Sequence, residues 1–320
     1  MRLFMNKAFL FFIAKVGITA WIIHVLVSTI DFEHVNITLQ KIPYSYIAIA
    51  VSISIVAIWA TAYRWRLIIS CNQETISLWH TFYHTMIGAF LNQCLPSSIG
   101  GDVYRGFVLK QHGLSTSSAL SSTFIDRLYG LSSFVILATI GCLFEWKILI
   151  STFLGEIMLL VIGLIAAGLG CLLSLKFLES YLPNILRPLI VLSKAVWTTF
   201  TQGKKSLLII FVSLGTALCI VVGAEILALG IGLNLALSQA FIAIPLAILV
   251  SAIPLSFAGW GLREGAMVVI LSAYGISKEE ALALSLLFGI SQILAALPGL
   301  AFWCFSRQLQ KAFKNANSLP

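Results

Sequence analysis

Apolar residues come in long uncharged runs along this chain, not in the short alternation of a half-buried strand or the one-sided stripe of a soluble helix. Six runs, 9–30, 44–63, 117–144, 153–175, 206–230 and 279–305, have the length of about 20 residues that an α-helix needs to cross roughly 30 Å of hydrocarbon. A transmembrane β-barrel would show alternating segments of about 10 residues instead. Two further apolar regions, 76–112 and 235–274, are interrupted by proline and glycine, at LPSSIGGDVYR (95–105) and IPLSFAGWGLR (253–263). Proline removes a backbone donor and clashes with the preceding turn, and glycine tolerates the angles of a sharp bend. Each region is therefore predicted to fold as two short helices meeting at a non-helical elbow.

Composition strengthens this reading. Hydrophobic residues make up 59% of the 320 and charged residues 10%, against about 25% charged in soluble domains. A soluble enzyme and a nucleic-acid-binding domain are excluded. The net charge of +8 is then information about topology, because Lys and Arg of membrane proteins gather in cytoplasmic loops. They cluster at Arg2 and Lys7, at Arg64 and Arg66, at Lys176, Arg187, Lys194, Lys204 and Lys205, and at Arg307, Lys311 and Lys314. All four clusters fall on one side only if the first broken region enters and leaves the membrane on the same face. The predicted fold is an all-α polytopic membrane protein, a single transmembrane domain over 1–320. It has about six full spans and two oppositely oriented re-entrant hairpins, the first entering from the cytoplasm, with both termini cytoplasmic. An amphipathic stretch at 185–200 is expected to lie on the membrane surface.

The two elbows share a pattern. Pro96, Ser98, Gly101 and Arg105 recur at a constant offset as Pro254, Ser256, Gly259 and Arg263, and a second block pairs Gly113, Ser115, Ala119 and Leu120 with Gly275, Ser277, Ala281 and Leu282. This predicts an inverted repeat of units 44–144 and 206–305 joined by 145–205, an architecture in which discontinuous helices build a site at mid-membrane.

Charges inside hydrocarbon are costly unless paired or hydrated, so the few beside the elbows are the candidates for function. Asp102 and Arg105 follow the first elbow, Arg263 and Glu264 occupy the same place in the second, Asp126 and Arg127 lie early in the third full span, and Glu225 lies in the span before the second hairpin. A guanidinium donates two parallel hydrogen bonds to a phosphate and stays charged, and a helix start adds free N–H groups. Arg105 and Arg263, with Ser98 and Ser256, are expected to engage an anionic head group. Asp102, Asp126, Arg127 and Glu264 would hold the hairpins or compete for those arginines, and Glu225 is the candidate for ion coupling. The bland alternative is that all these charges only pair with one another.

Other features point away from chemistry. His80 and His84 share a helix face, but no acidic third ligand or H-E-x-x-H pattern accompanies them, and beside Trp79 and Tyr83 they read as interfacial packing, not as a metal site. Lys15 and His24 in the first span remain undecided. The cysteines are scattered without a C-x-x-C pair. No P-loop, G-x-S-x-G, zinc or cofactor motif is present, so no catalytic residue and no cofactor is expected, and transport would run without ATP hydrolysis by this chain.

Finally, the first elbow with its following turn (LPSSIGGDVYRGFVLKQHGLS), the R-W-R of Arg64, Trp65 and Arg66, the D-R-L-Y-G-L from Asp126, and the second elbow (IPLSFAGWGLREGAMV) resemble the membrane region of lysylphosphatidylglycerol synthases. The resemblance implies a flippase-like protein of a bacterial or archaeal cytoplasmic membrane, without the synthases' cytosolic aminoacyl-transferase domain. It implies an anionic lipid as the moving partner: phosphatidylglycerol, its aminoacylated form or a polyprenyl phosphate. A membrane enzyme acting on such a lipid, or an accessory subunit of a lipid synthase, is the alternative. A lipid synthase and a second copy of the chain are the protein partners left open. The second elbow departs from the expected Gly-rich turn at Phe257, Ala258 and Trp260, which would alter the shape of its pocket.

Overall fold

A computed structural model describes residues 15–147 except 23, 27, 72–73 and 96–98, scattered positions between 155 and 175, and 187–305 except 254 and 257. The described residues are all-α. The helices are α1 (Phe32–Lys41), α2 (Tyr44–Cys71), α3 (Leu78–Cys94), α4 (Gly100–Gln111), α5 (Thr116–Phe144), α6 (Arg187–Thr201), α7 (Lys204–Gly230), α8 (Leu237–Ser251), α9 (Leu262–Ser272) and α10 (Lys278–Phe305). A shorter apolar helical segment, Lys15–Leu26, precedes them.

Four helices, α2, α5, α7 and α10, are long and apolar enough to cross a membrane, and they coincide with four of the six predicted runs. Of the other two, 9–30 is represented by Lys15–Leu26, and more than half of 153–175 falls outside the described residues. One boundary differs in a way that matters. Hydropathy predicts that the second run ends at Tyr63 with Arg64 and Arg66 in a loop, but α2 continues unbroken to Cys71. Residues two apart on a helix point to opposite sides. Arg64 and Trp65 accordingly turn into the bundle and are buried, while Arg66 stays exposed and donates to the Ile76 carbonyl at 3.0 Å.

Both broken regions fold as helix, break, helix: none of the described residues in 95–99 and 252–261 is helical. Pro96, Ser98 and Pro254 lie outside the described residues. In the first pair the two arms meet at Gly101, where a Cβ would overlap the backbone of Gly88, so only glycine permits this crossing. After each pair the chain turns in the same way. Gly113 (φ +95°) and Gly275 (φ +77°) take the left-handed conformation that ends α4 and α9. The amides of the next residues, Leu114 and Ile276, then donate to Leu109 and Leu271 carbonyls five back, the bonds of a Schellman-type stop. Two residues past each glycine a serine caps the next long helix, Ser115 accepting from the Ser118 amide and Ser277 from that of Glu280.

Helix packing has the same twofold character. With α2, α3, α4 and α5 set against α7, α8, α9 and α10, the larger contacts between these elements have counterparts: α3 with α10 and α8 with α5, α4 with α5 and α9 with α10, α2 with α10 and α7 with α5. The same holds for α2 with α5 and α7 with α10, and for the neighbours α2–α3 and α7–α8. The longest seam, α2 against α7, is its own counterpart. It is lined by small residues: Ala50, Ala217 and Ala224 are buried in one cluster, and Gly223 lies against the Ala50 carbonyl. Small side chains let backbones approach closely where lipid supplies no hydrophobic drive between helices.

Candidate functional site

Three helices bring five charged side chains into one chain of contacts. Arg64 of α2 donates from Nε to Asp126 Oδ1 of α5 at 2.7 Å, and Arg105 of α4 donates to Asp126 Oδ2 at 2.6 Å. Arg105 also lies 3.7 Å from Asp102, which accepts in turn from Arg127. The spacing of Asp102 and Arg105 predicts one helix face, and the start of α4 at Gly100 places them there. Arg64, Arg105 and Asp126 are buried, and the Arg105 guanidinium lies 4.3 Å from the centre of the Trp65 ring. The Trp65 indole donates to Ser122 at 3.4 Å. Each carboxylate oxygen of Asp126 thus meets one guanidinium, the arrangement that offsets the desolvation of buried charge. Among the described residues the group holds three cations and two anions.

The outer end of this chain opens on a cavity. Between α4, α5 and α6 lies a space of about 950 Å³, walled by apolar side chains including Val103, Leu120, Phe124 and Leu192, with Asp102 and Arg127 as its charged members among the described residues. Its size and apolar lining are those of a ligand pocket. Arg127 is the most exposed of the five charged side chains, at 26%. The wall from α6 comes from the stretch whose amphipathic pattern predicts a position on the membrane surface. Its apolar face packs on α5 and α7, burying Ile190 and Val196 and turning Leu189, Val191 and Leu192 to the cavity.

The second helix pair is arranged differently. Arg263 donates to Glu264 Oε1 from two nitrogens, at 3.1 and 2.6 Å. Its guanidinium sits 4.8 Å from the centre of the Trp260 ring, supplied by its own elbow, and 5.6 Å from that of Phe288. The same Glu264 accepts from the Gly261 amide at 2.6 Å and from Ser285 at 3.4 Å. This group is neutral. Ser256 is buried in the break, its hydroxyl without a partner among the described residues. Glu225 is half-buried on α7, and its Oε2 has no hydrogen-bond partner among the described residues.

The structure thus joins Asp102, Arg105, Asp126 and Arg127 in one group and Arg263 with Glu264 in another. The cavity is lined by Asp102 and Arg127, and both elbow arginines are engaged by carboxylates. Helix starts expected to offer N–H groups to an anion have acceptors of their own: Asn92 takes the Gly101 amide at 2.7 Å, as Glu264 takes that of Gly261. Ser98 lies outside the described residues.

Two residues at these sites escape sequence reasoning. Hydropathy falls at Tyr63 and places Arg64 in a loop; its spacing of two from the exposed Arg66 is the available signal. His112, just past α4, joins His80 and His84 so closely that one ring nitrogen from each lies within 4.8 Å of the others. Nothing in the sequence between His84 and His112 announces that contact, which exists only because the helix pair folds back on itself.

Four helices long and apolar enough to cross a membrane, two broken helix pairs and an ionic group held among α2, α4 and α5 are the features of a multi-pass membrane protein. The chain belongs to the family described as the lysylphosphatidylglycerol synthase TM region, whose pattern it matches over residues 12–299. That membership supports a membrane lipid-related role. No curated protein matches the chain individually.

Proposed function

We propose that this protein moves an anionic lipid between the leaflets of a bacterial or archaeal cytoplasmic membrane, with the cavity between α4, α5 and α6 receiving the lipid. One observation carries this reading: an apolar cavity lined by Asp102 and a partly exposed Arg127, which belong to a larger ionic group reaching into the bundle. An acyl chain fits the walls, and a phosphate fits Arg127. Asp102 then acts as the internal placeholder, releasing Arg127 when a phosphate takes its place, while Arg64, Arg105 and Asp126 hold the helices in register. Glu225, Ser256, Arg263 and Glu264 serve the opposite half of the path.

In this reading there are six spans, both termini are cytoplasmic, and the two broken helix pairs are re-entrant and oppositely oriented units of an inverted repeat. Helix length supports re-entrance: α3, α4, α8 and α9 have 17, 12, 15 and 11 residues, so each rises between about 16 and 26 Å, short of roughly 30 Å of hydrocarbon. The paired contacts and the identical Gly-x-Ser turns support the repeat, which is how discontinuous helices build transport sites in other membrane folds.

Leaflet exchange of fluorescent phosphatidylglycerol in proteoliposomes tests the reading. Wild-type protein exchanges it without altering it chemically. Arg127→Ala slows exchange about 10-fold or more, the loss of one charged hydrogen bond to phosphate, and Asp102→Asn does not slow it. Exchange no faster than in empty vesicles, or chemical turnover of the head group, overturns the proposal.

A further inference from the structure

The open end of the first helix pair, opposite its break, gathers three imidazoles. His80 and His84 lie in the first two turns of α3 and His112 follows the last turn of α4. The His80 ring centre is 4.4 Å from that of His84 and 4.3 Å from that of His112. His80 Nε2 is buried and makes no hydrogen bond among the described residues. His84 is buried, and its Nδ1 lies 2.8 Å from the Tyr104 hydroxyl of the opposite arm, which leaves Nε2 as its remaining ring nitrogen. A buried imidazole nitrogen without a partner is unfavourable, and three imidazoles crowded together are a poor packing choice unless something accepts their lone pairs.

We infer that His80, His84 and His112 form a binding site for a divalent transition-metal ion of the zinc type, which ties the two arms of the first helix pair together at their open end. Imidazole is a preferred donor for Zn²⁺. A tetrahedral ion with Zn–N of about 2.0–2.1 Å needs its nitrogens about 3.4 Å apart. The present separation of up to 4.8 Å therefore has only a small distance to close. His112, exposed in the turn after α4, can make that movement. Each imidazole gives a lone pair and keeps its remaining ring proton, and the ion loses three waters. The Nδ1 proton of His84 then points at Tyr104, whose oxygen accepts it. Such an outer partner commonly fixes the tautomer and orientation of a metal-binding histidine. Three protein ligands leave a fourth position for water. The site is independent of the lipid cavity, whose lining includes none of the three histidines.

The test uses the full chain purified in detergent without a histidine tag and equilibrated with micromolar Zn²⁺. One ion per chain is expected by elemental analysis, with X-ray absorption fitting three imidazole nitrogens and a rise in unfolding temperature on Zn²⁺ addition. His112→Ala, at an exposed position that leaves the helices intact, should weaken binding at least about 10-fold and abolish the temperature rise, and His80→Ala should do the same. Tyr104→Phe should weaken binding less than either. Equal Zn²⁺ binding by wild type and His112→Ala, or no binding by a folded wild-type protein, overturns the inference.

Discussion

The two helix pairs carry the same Pro-x-Ser-x-x-Gly-x-x-x-Arg spacing and reach opposite electrostatic solutions. Arg105 lies well inside α4 and takes its counter-charge from another helix, sharing Asp126 of α5 with Arg64 of α2. Arg263 lies at the second residue of α9 and takes its counter-charge from the adjacent Glu264. Continuing the register of the matched Gly113 and Gly275 explains why. The position of Asp126 is filled by Phe288 and that of Arg127 by Gly289. The guanidinium of Arg263 occupies the space over Gly289, where a Cβ would collide with it, and faces the Phe288 ring. One pair is thus tied to the bundle by shared charge and sets an ion pair beside a cavity; the other satisfies itself and packs through apolar surface. Repeated sequence sets the shape of both, and the differences at Glu264, Phe288 and Gly289 give them different electrostatics.

That contrast is broken most sharply at Asp126. Asp126→Ala leaves buried Arg64 without a carboxylate and buried Arg105 with only its longer contact to Asp102, and should cost about 3–5 kcal/mol of stability, read as loss of folded protein or a large fall in unfolding midpoint in detergent. Glu264→Ala is the matched experiment in the second pair. It removes the acceptor of the Gly261 amide and the partner of Arg263, but that arginine keeps two aromatic faces; the expected cost is about 1–3 kcal/mol. If Glu264→Ala destabilises as much as Asp126→Ala, the two pairs are anchored alike and the contrast fails. The smallest structural effect belongs to Arg127→Ala, about 1 kcal/mol or less for a partly exposed pair, although it is expected to slow lipid exchange most clearly among stable variants.

Much of this architecture can be read from the chain itself because proline and glycine interrupt otherwise continuous apolar runs, and backbone chemistry makes such interruptions local. Both breaks, the arms on either side, and the Gly-x-Ser turns that start α5 and α10 fall where those residues place them. The partners of the charges are less legible. Hydropathy sees an arginine as the end of a span, and so sets Arg64 outside a helix that in fact carries it inward to Asp126. Sequence spacing links Asp102 with Arg105 and Arg263 with Glu264, since those contacts are local; the Arg105–Asp126 and Arg127–Asp102 contacts, 21 and 25 residues apart, depend on how α4 lies against α5. The third histidine is hidden for the same reason, and the cavity because it needs α6, whose amphipathic pattern suits a membrane surface as well as a bundle groove.

The central claim is that the cavity beside Asp102 and Arg127 is where the lipid enters. The most direct measurement is photo-crosslinking by a phosphatidylglycerol carrying a photoreactive acyl chain, with the labelled residues located by mass spectrometry in wild type and in Leu120→Trp, which fills the cavity from a position already exposed to it. The account predicts labels on Leu120, Phe124 and Leu192 in wild type and their loss in Leu120→Trp. Labels concentrated around Ser256 and α9, or a pattern that Leu120→Trp leaves unchanged, would contradict it.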